Sequence, residues 1–365
     1  MSYWSNVLSG AEGGAGPALL RAATGVIEPF YATAMRVRNR LFDAGMLPSH
    51  DLGRPTISVG NITAGGTGKT PMVRWLAEKL RERGRHVAVL ARGYKSSSPA
   101  GGDEQIMLER ALNGGSLPRV ELLADPDRVR AAAGALRRDP SIDLFVLDDG
   151  FQHRRARRNL DLVLLNGPEP FGFGHVLPRG LLREPLAGLG RAGAIVVTHA
   201  DQISAAEMAA IESQVRRYGP QIPVYRSVHE HVALWNSAAG APDARRPMET
   251  LGQVPFFAFA GIGSPARLDQ QLSRWGATCR GSRWFADHHA YSAGDLRELE
   301  SAARSAGAEV LLTTEKDWAK LSDLPPDGDV PIWRIEMAMR FLDGDEERLL
   351  RQVVEVVDRA AANPV

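Results

Sequence analysis

The chain has 365 residues, enough for two domains, and its 44% hydrophobic and 24% charged residues describe a globular protein able to bury a sizeable core. With 44 Lys and Arg against 43 Asp and Glu, the net charge of +1 excludes a global attraction to nucleic acid, so an anionic partner must be met by a local patch. The single cysteine, Cys279, excludes an intramolecular disulfide or a cysteine-based zinc cage and fits a reducing compartment. No apolar run approaches the roughly 20 residues that span a bilayer, and MSYWSNVLSG lacks the regions of a signal peptide, so a cytosolic location is expected.

Met1 to Gly16 is rich in small residues and reads as irregular. Over about 29–43, Phe30, Ala34, Val37 and Leu41 recur at helical spacing, with Arg36, Arg38 and Arg40 toward the C-terminal end. Two readings fit: a helix packed on the core with cations at the negative end of its dipole, or an interfacial helix that dips its apolar face into a membrane. The runs TISVG (56–60), HVAVLA (86–91), DLFVLDD (143–149), LDLVLLN (160–166) and AIVVTHAD (194–201) are predicted strands. Between the first two, Val73, Leu76, Ala77 and Leu80 follow helical spacing up to a stop at Gly84. Alternating strands and helices predict an α/β fold with a mainly parallel sheet, helices on both faces and a ligand crevice at the carboxyl ends of the strands. A loop-like stretch over 229–250 reads as a linker between a first domain, 1–228, and a smaller α/β lobe, 251–365. FFAFAGIG (256–263) and EVLLTTEKD (309–317) are expected in that second lobe.

GNITAGGTGKTP (60–71) lies between a predicted strand and a predicted helix, where a P-loop belongs. Thr63, Ala64, Gly65, Gly66, Thr67, Gly68, Lys69 and Thr70 would line a triphosphate: glycines let backbone N–H groups approach it, Lys69 reaches the β and γ phosphates, and Thr70 ligates Mg²⁺. The usual pattern has glycine where this chain has Thr63, which is tolerable if the backbone there is ordinary. DLFVLDDGFQH supplies an apolar strand ending in Asp148, the expected Mg²⁺ ligand, and Asp149. Gln152 and His153 follow, and then Arg154, Arg155, Arg157 and Arg158, which form either a solvated surface or a phosphate-recognising patch. HVLPRGLLREP adds Arg179, Arg183 and Glu184, and FADHHAYS adds Asp287, His288 and His289.

Together VGNITAGGTGKTP, ARGY, GDE, DDGFQH, LPRGLLREP, FADHHAY and TEKD, spread over about 57–317, resemble the tetraacyldisaccharide 4'-kinase family of the lipid A pathway of Gram-negative bacteria. In that family Thr63 is a normal feature of the loop. The resemblance implies two lobes joined by a two-stranded linker, with the C-terminal helix packing back on the first. It implies ATP and Mg²⁺ in the first lobe and phosphoryl transfer to the 4'-hydroxyl of a tetraacylated disaccharide 1-phosphate. It also implies peripheral binding to anionic lipid on the cytoplasmic face of the inner membrane and favours membrane contact for the 29–43 helix; a monomer without a nucleic-acid partner is expected, although the sequence leaves the oligomeric state open. Asp103 of GDE is implied as catalytic base, paired with His288, while Lys69 and Arg183 stabilise the transferring phosphoryl group. Glu184 would contact metal or order that arginine. Asn61, Arg92, Glu104, Arg128, Asp149, Gln152 and His153 are implied around the substrate. The chain departs from the family's pattern at Gln105, Phe173 and Arg179. Alternatives are another P-loop kinase or a GTPase, although His199 stands at the lysine position of a guanine-reading loop in VVTHAD, or a nucleotide-binding regulator without turnover.

Overall fold

The computed structural model of the chain describes residues 3–93, 108–109, 112–113, 119–237, 244–262, 265–273, 275–286, 289–321 and 330–363. Asp103, Glu104, Gln105, Asp287 and His288 lie outside the described residues. The described chain forms two compact units, one of residues 3–229 and 339–363 and the other of residues 230–338. Its helices in chain order are α1 (Tyr3–Ser9), α2 (Ala15–Asp43), α3 (Lys69–Arg81), α4 (Arg128–Arg138), α5 (Ala205–Arg216), α6 (Pro265–Ser273), α7 (Ala293–Ser305), α8 (Glu315–Leu321) and α9 (Asp345–Ala362).

In the larger unit, β1 (Thr56–Asn61), β2 (Val87–Ala91), β3 (Glu121–Ala124), β4 (Leu144–Asp148), β5 (Leu160–Asn166), β6 (Ala194–Thr198) and the first residues of β7 (Val224–Ser237) lie in the order β7-β6-β5-β1-β4-β2-β3. Every neighbouring pair is parallel. The strands read as unbroken apolar runs because both faces of the sheet are covered. Alternate residues Ile57, Val59, Leu162, Leu164 and Val196 join Met72, Val73, Leu76 and Leu80 of α3 and Leu349, Val353 and Val357 of α9 in one core. Val163, Leu165, Ile195 and Val197 turn to the opposite face, against Met208, Ile211 and Val215 of α5. On that face Leu90, Phe145 and Leu147 meet the small Ala131, Ala132 and Ala135 of α4. The last helix of the chain is thus part of the core of the larger unit.

The smaller unit holds the rest of β7, then β8 (Ala244–Arg246), β9 (Phe256–Ala260), β10 (Cys279–Trp284), β11 (Val310–Thr314) and most of β12 (Ile332–Phe341), ordered β10-β9-β11-β12-β7 with β8 antiparallel to β7. Phe256, Ala258 and Ala260 face one core with Leu268 and Leu272 of α6, and Phe257 and Phe259 face another with Leu299 and Ala303 of α7.

Three local expectations are corrected. The N-terminal stretch is not irregular throughout: α1 forms, and its late carbonyls are capped from a distance by Arg21 Nη1 on Val7 (3.1 Å) and Arg179 Nη1 on Leu8 (3.0 Å). The helix expected over 29–43 begins at Ala15 and runs through Pro29, which has no N–H to give to the Gly25 carbonyl. The stretch from 229 to 250, loop-like by its residues, is extended in part: β7 continues to Ser237 and pairs antiparallel with β8, in keeping with the two strands that the resemblance implies.

Candidate active site

The glycine-rich loop leaves β1 and feeds α3 as its sequence requires. Thr63 takes an extended conformation, in an antiparallel bridge with Leu182, and is not among the positive-φ residues, so no glycine is needed there. The left-handed positions fall on Gly65 (φ 117°) and Gly68 (φ 79°), the second being the N-cap of α3. Residues 181–183 clamp the first half of the loop: the Arg183 N–H donates to the Ile62 carbonyl (2.8 Å) and the Ala64 N–H to the Leu181 carbonyl (2.6 Å). The Ala64 N–H, expected among the phosphate donors, is therefore already engaged. Lys69 and Thr70 open α3, where the unpaired N–H groups and the helix dipole favour an anion.

The acid pair of DLFVLDDGFQH reaches the loop because β4 lies beside β1, with Asp148 in register with Val59. A side chain at Gly60 would come within 2.6 Å of Phe151 Cβ, so only glycine permits this approach. Asp149 sits in the left-handed region (φ 52°) and turns its carboxylate to Lys69 (3.6 Å) and to Arg183 Nη1 (2.7 and 2.8 Å). Burial pushes the Asp149 carboxyl upward, but the Lys69 and Arg183 charges outweigh it and hold the group below the usual carboxylate range. The structure thus gathers Lys69, Asp149 and Arg183 in one cluster beside the loop.

Glu184 is fully buried, and both its oxygens are taken: Asn39 Nδ2 (2.7 Å) and Gln152 Nε2 (3.0 Å) each donate to one, and Arg191 Nη2 (2.9 Å) to both. Of the two expected roles, these contacts favour ordering over metal contact. A carboxylate enclosed by three donors is an anchor for the loops around it. Gln152 is held in the same way, its side-chain amide also donating to the Asn61 carbonyl (2.9 Å) and its backbone carbonyl accepting from Arg38 Nη2 (2.6 Å).

Asn61, at the end of β1, is fully buried, and its side-chain oxygen and nitrogen have no hydrogen-bond partner among the described residues. Arg128 is 4% exposed and lies beside Asp148 and Asp149; burial lowers its pKa and those carboxylates raise it, with a net lowering. Arg92 follows β2 at the same edge and is exposed. Burial, then the Arg128 and Arg158 charges, push His153 down to about 4, so it is neutral at physiological pH. Three members of the arginine run are paired, Arg154 with Asp43 (2.7 Å), Arg155 with Asp127 (3.3 Å) and Arg158 with Asp161 (2.8 Å), while Arg155 and Arg157 are exposed.

Two departures from the family pattern have local accounts. Arg179 caps α1, and Phe173 occupies a left-handed position (φ 61°) that asparagine adopts more readily. The pairing of Asp103 with His288 falls outside the described residues. Its neighbour His289 stacks on Phe285 and sits 3.4 Å from Asp295. Sequence reasoning missed Tyr31, Asn39 and Arg191, which support Arg183 and Glu184 from remote segments and carry no local motif.

These donors suit magnesium. Mg²⁺ is held by one or two protein oxygens together with phosphates and water, not by an all-protein cage. Among the described residues no group of three or more His, Cys, Asp or Glu forms a cage, while Asp148 ends the strand beside β1 and Thr70 lies in the first turn of α3.

A strand-loop-helix cradle with its lysine facing an acid from the adjacent parallel strand places the chain in the P-loop NTPase class. Comparison with known proteins narrows that class. The family model for tetraacyldisaccharide-1-P 4'-kinases matches residues 21–357. The tetraacyldisaccharide 4'-kinase of Anaeromyxobacter dehalogenans is 38% identical over 331 residues, 86% of this chain and 82% of its own. That of Halothermothrix orenii is 34% identical over 321 residues, 81% and 82% of the two chains. The solved structure of LpxK from Aquifex aeolicus in complex with ATP has a TM-score of 0.70 at 27% identity, covering 93% of this chain and 99% of that one. The chain belongs to the tetraacyldisaccharide 4'-kinase family and is an ATP-dependent kinase.

Proposed function

We propose that this kinase transfers the γ-phosphoryl group of ATP to the 4'-hydroxyl of a tetraacylated, 1-phosphorylated glucosamine disaccharide, acting as a monomer on the cytoplasmic face of the inner membrane. The observation that carries the reading is the cluster of Lys69, Arg183 and Asp149 against the P-loop, which sets two cations where charge moves during phosphoryl transfer. Lys69 and Arg183 stabilise the phosphoryl oxygens, Arg128 adds charge from below, and Glu184 fixes the segment that bears Arg183. Thr70 and Asp148 would hold Mg²⁺, which would supply neutralisation of phosphate charge. Asp103 accepts the hydroxyl proton, with His288 orienting it. Asn61 and Arg92, with Glu104, line the acceptor side.

The face of α2 bearing Phe30 and Val37 supports membrane contact, because it points away from the core. Leu19, Val26, Ile27, Phe30 and Val37 are 49–73% exposed, and Trp4 of α1 is 59% exposed. Arg36 and Arg40, also exposed, suit anionic headgroups. No helix among the described residues is long and apolar enough to cross a membrane, so contact is interfacial.

The test is phosphate transfer from ATP to a lipid A disaccharide 1-phosphate in detergent, with K69A, D103A and H288A beside wild type. Wild-type ATP binding without lipid phosphorylation sinks the proposed substrate, and full activity of H288A sinks only the Asp103–His288 pair.

A further inference from the structure

We infer that His229 is a positioning residue for the phosphate loop, held over Gly68 by a hydrogen-bonded chain through His199 and Asn166; the inference rests on ATP binding at that loop. The three residues come from neighbouring parallel strands: Asn166 ends β5, His199 follows β6, and His229 lies in β7. His199 Nδ1 is 3.0 Å from Asn166 Oδ1, and His199 Nε2 is 2.9 Å from His229 Nδ1, with the two rings edge to face at 4.4 Å. An amide oxygen only accepts, so His199 Nδ1 carries a proton. With that ring neutral, its Nε2 accepts from His229 Nδ1, and the two contacts hold both rings in one direction.

The chain ends on the loop. A Cβ at Gly68 would lie 2.6 Å from both Cε1 and Nε2 of His229, so the edge of the ring rests on the Gly68 α-carbon. Gly68 is the left-handed N-cap from which Lys69 and Thr70 start α3. Thr198 adds a second hold, its hydroxyl donating to the Thr67 carbonyl at 3.2 Å. Residues 181–183 therefore clamp the first half of the loop, and the ends of β6 and β7 clamp the second. His199 is itself in the left-handed region (φ 54°), a strained backbone that aims its ring at His229. An apolar side chain at 229 would fill the same volume, but it would not hold a direction. Removing the ring frees Gly68 and the first turn of α3, and fixed phosphate donors lose affinity steeply with small displacements.

The test is calorimetric titration of ATP with Mg²⁺ into the full chain and into H229A, H199A and H199A/H229A, alongside the Michaelis constant for the lipid. The expected result is about 10-fold weaker ATP binding in each single variant. The double variant should be no weaker than H229A, because His199 acts only through His229, and the lipid constant should not move. Wild-type ATP affinity in H229A, or losses that add in the double variant, would overturn the inference by leaving only a packing role between β6 and β7. If H229A does not fold, H199A, one residue removed from the loop, gives the same reading. Calorimetry reports ATP binding alone, so failure to phosphorylate the lipid would refute the proposed substrate without changing this outcome.

Discussion

Replacing Glu184 with Gln tests whether that carboxylate is an anchor or a metal ligand. The side chain is fully buried, and every group that touches it donates: Asn39 and Gln152 through amide nitrogens, and Arg191 through one guanidinium nitrogen to both oxygens. A glutamine of the same shape sets an NH₂ against one of these donors in either orientation. Flipping Gln152 to relieve the clash forfeits its bond to the Asn61 carbonyl. Arg191, 19% exposed and stacked on Phe151 at 4.6 Å, also loses its counter-charge. Breaking a buried pair costs about 3–5 kcal/mol, and the partial exposure of Arg191 points to the lower end, about 3 kcal/mol. At roughly 2–4 °C per kcal/mol for a unit of this size, E184Q should melt about 6–12 °C below wild type by circular dichroism. A melting temperature within about 2 °C of wild type, together with a raised Mg²⁺ requirement for ATP turnover, would refute the anchor and restore the metal role.

Phe173→Asn relieves a left-handed phenylalanine and should raise stability by about 1 kcal/mol in urea unfolding; a loss would show that packing of the ring outweighs its backbone strain. Thr63→Gly restores the common P-loop pattern but should leave ATP affinity unimproved and lower stability, because Thr63 is extended and 3% exposed. His153 titrates near 4 in the folded chain against 6.5 for a free imidazole, a lowering led by burial. Above 6.5 both states are neutral; from there down to about 4 only the unfolded chain takes the proton, so stability falls with pH across that window and levels off below it. His153→Gln should flatten part of that slope in urea midpoints measured from pH 7 to 4, and an unchanged slope would remove His153 as a source.

What could be read from the sequence was what depends on near neighbours. The strands of the larger unit announce themselves as apolar runs, since a parallel sheet covered on both faces has no polar side to interrupt them. GGTGKT is legible for the same local reason: two of its glycines meet positive φ within the loop itself. The two readings of Glu184 could not be separated in the sequence because its partners come from far away in the chain, Asn39 lying 145 residues before it and Gln152 32 residues before it. The pairings of Arg154 and Arg155 were hidden for the same reason, their carboxylate partners Asp43 and Asp127 standing on other elements. β3, with no fully buried position, offered too weak a pattern to mark a strand.

Helix α2 joins the two halves of the proposed function, and its two faces can be tested separately. Its inner face holds the site: the Tyr31 hydroxyl donates to the Arg183 carbonyl at 2.8 Å, Asn39 to Glu184, and Arg38 to the Gln152 carbonyl. Its outer face carries Val26, Ile27 and Phe30, none of which contributes to the buried core. Val26→Asp/Phe30→Asp should abolish flotation with anionic vesicles while leaving turnover of detergent-dispersed substrate near wild type, because no contact to Arg183 or Glu184 is touched. Tyr31→Phe/Asn39→Ala should do the reverse, keeping flotation and lowering turnover in detergent about 10-fold or more, by loosening the segment that presents Arg183. If the outer-face pair lowered detergent turnover as strongly as the inner-face pair, the helix would be acting as one structural brace, and the separate role of its apolar face in meeting lipid would fall.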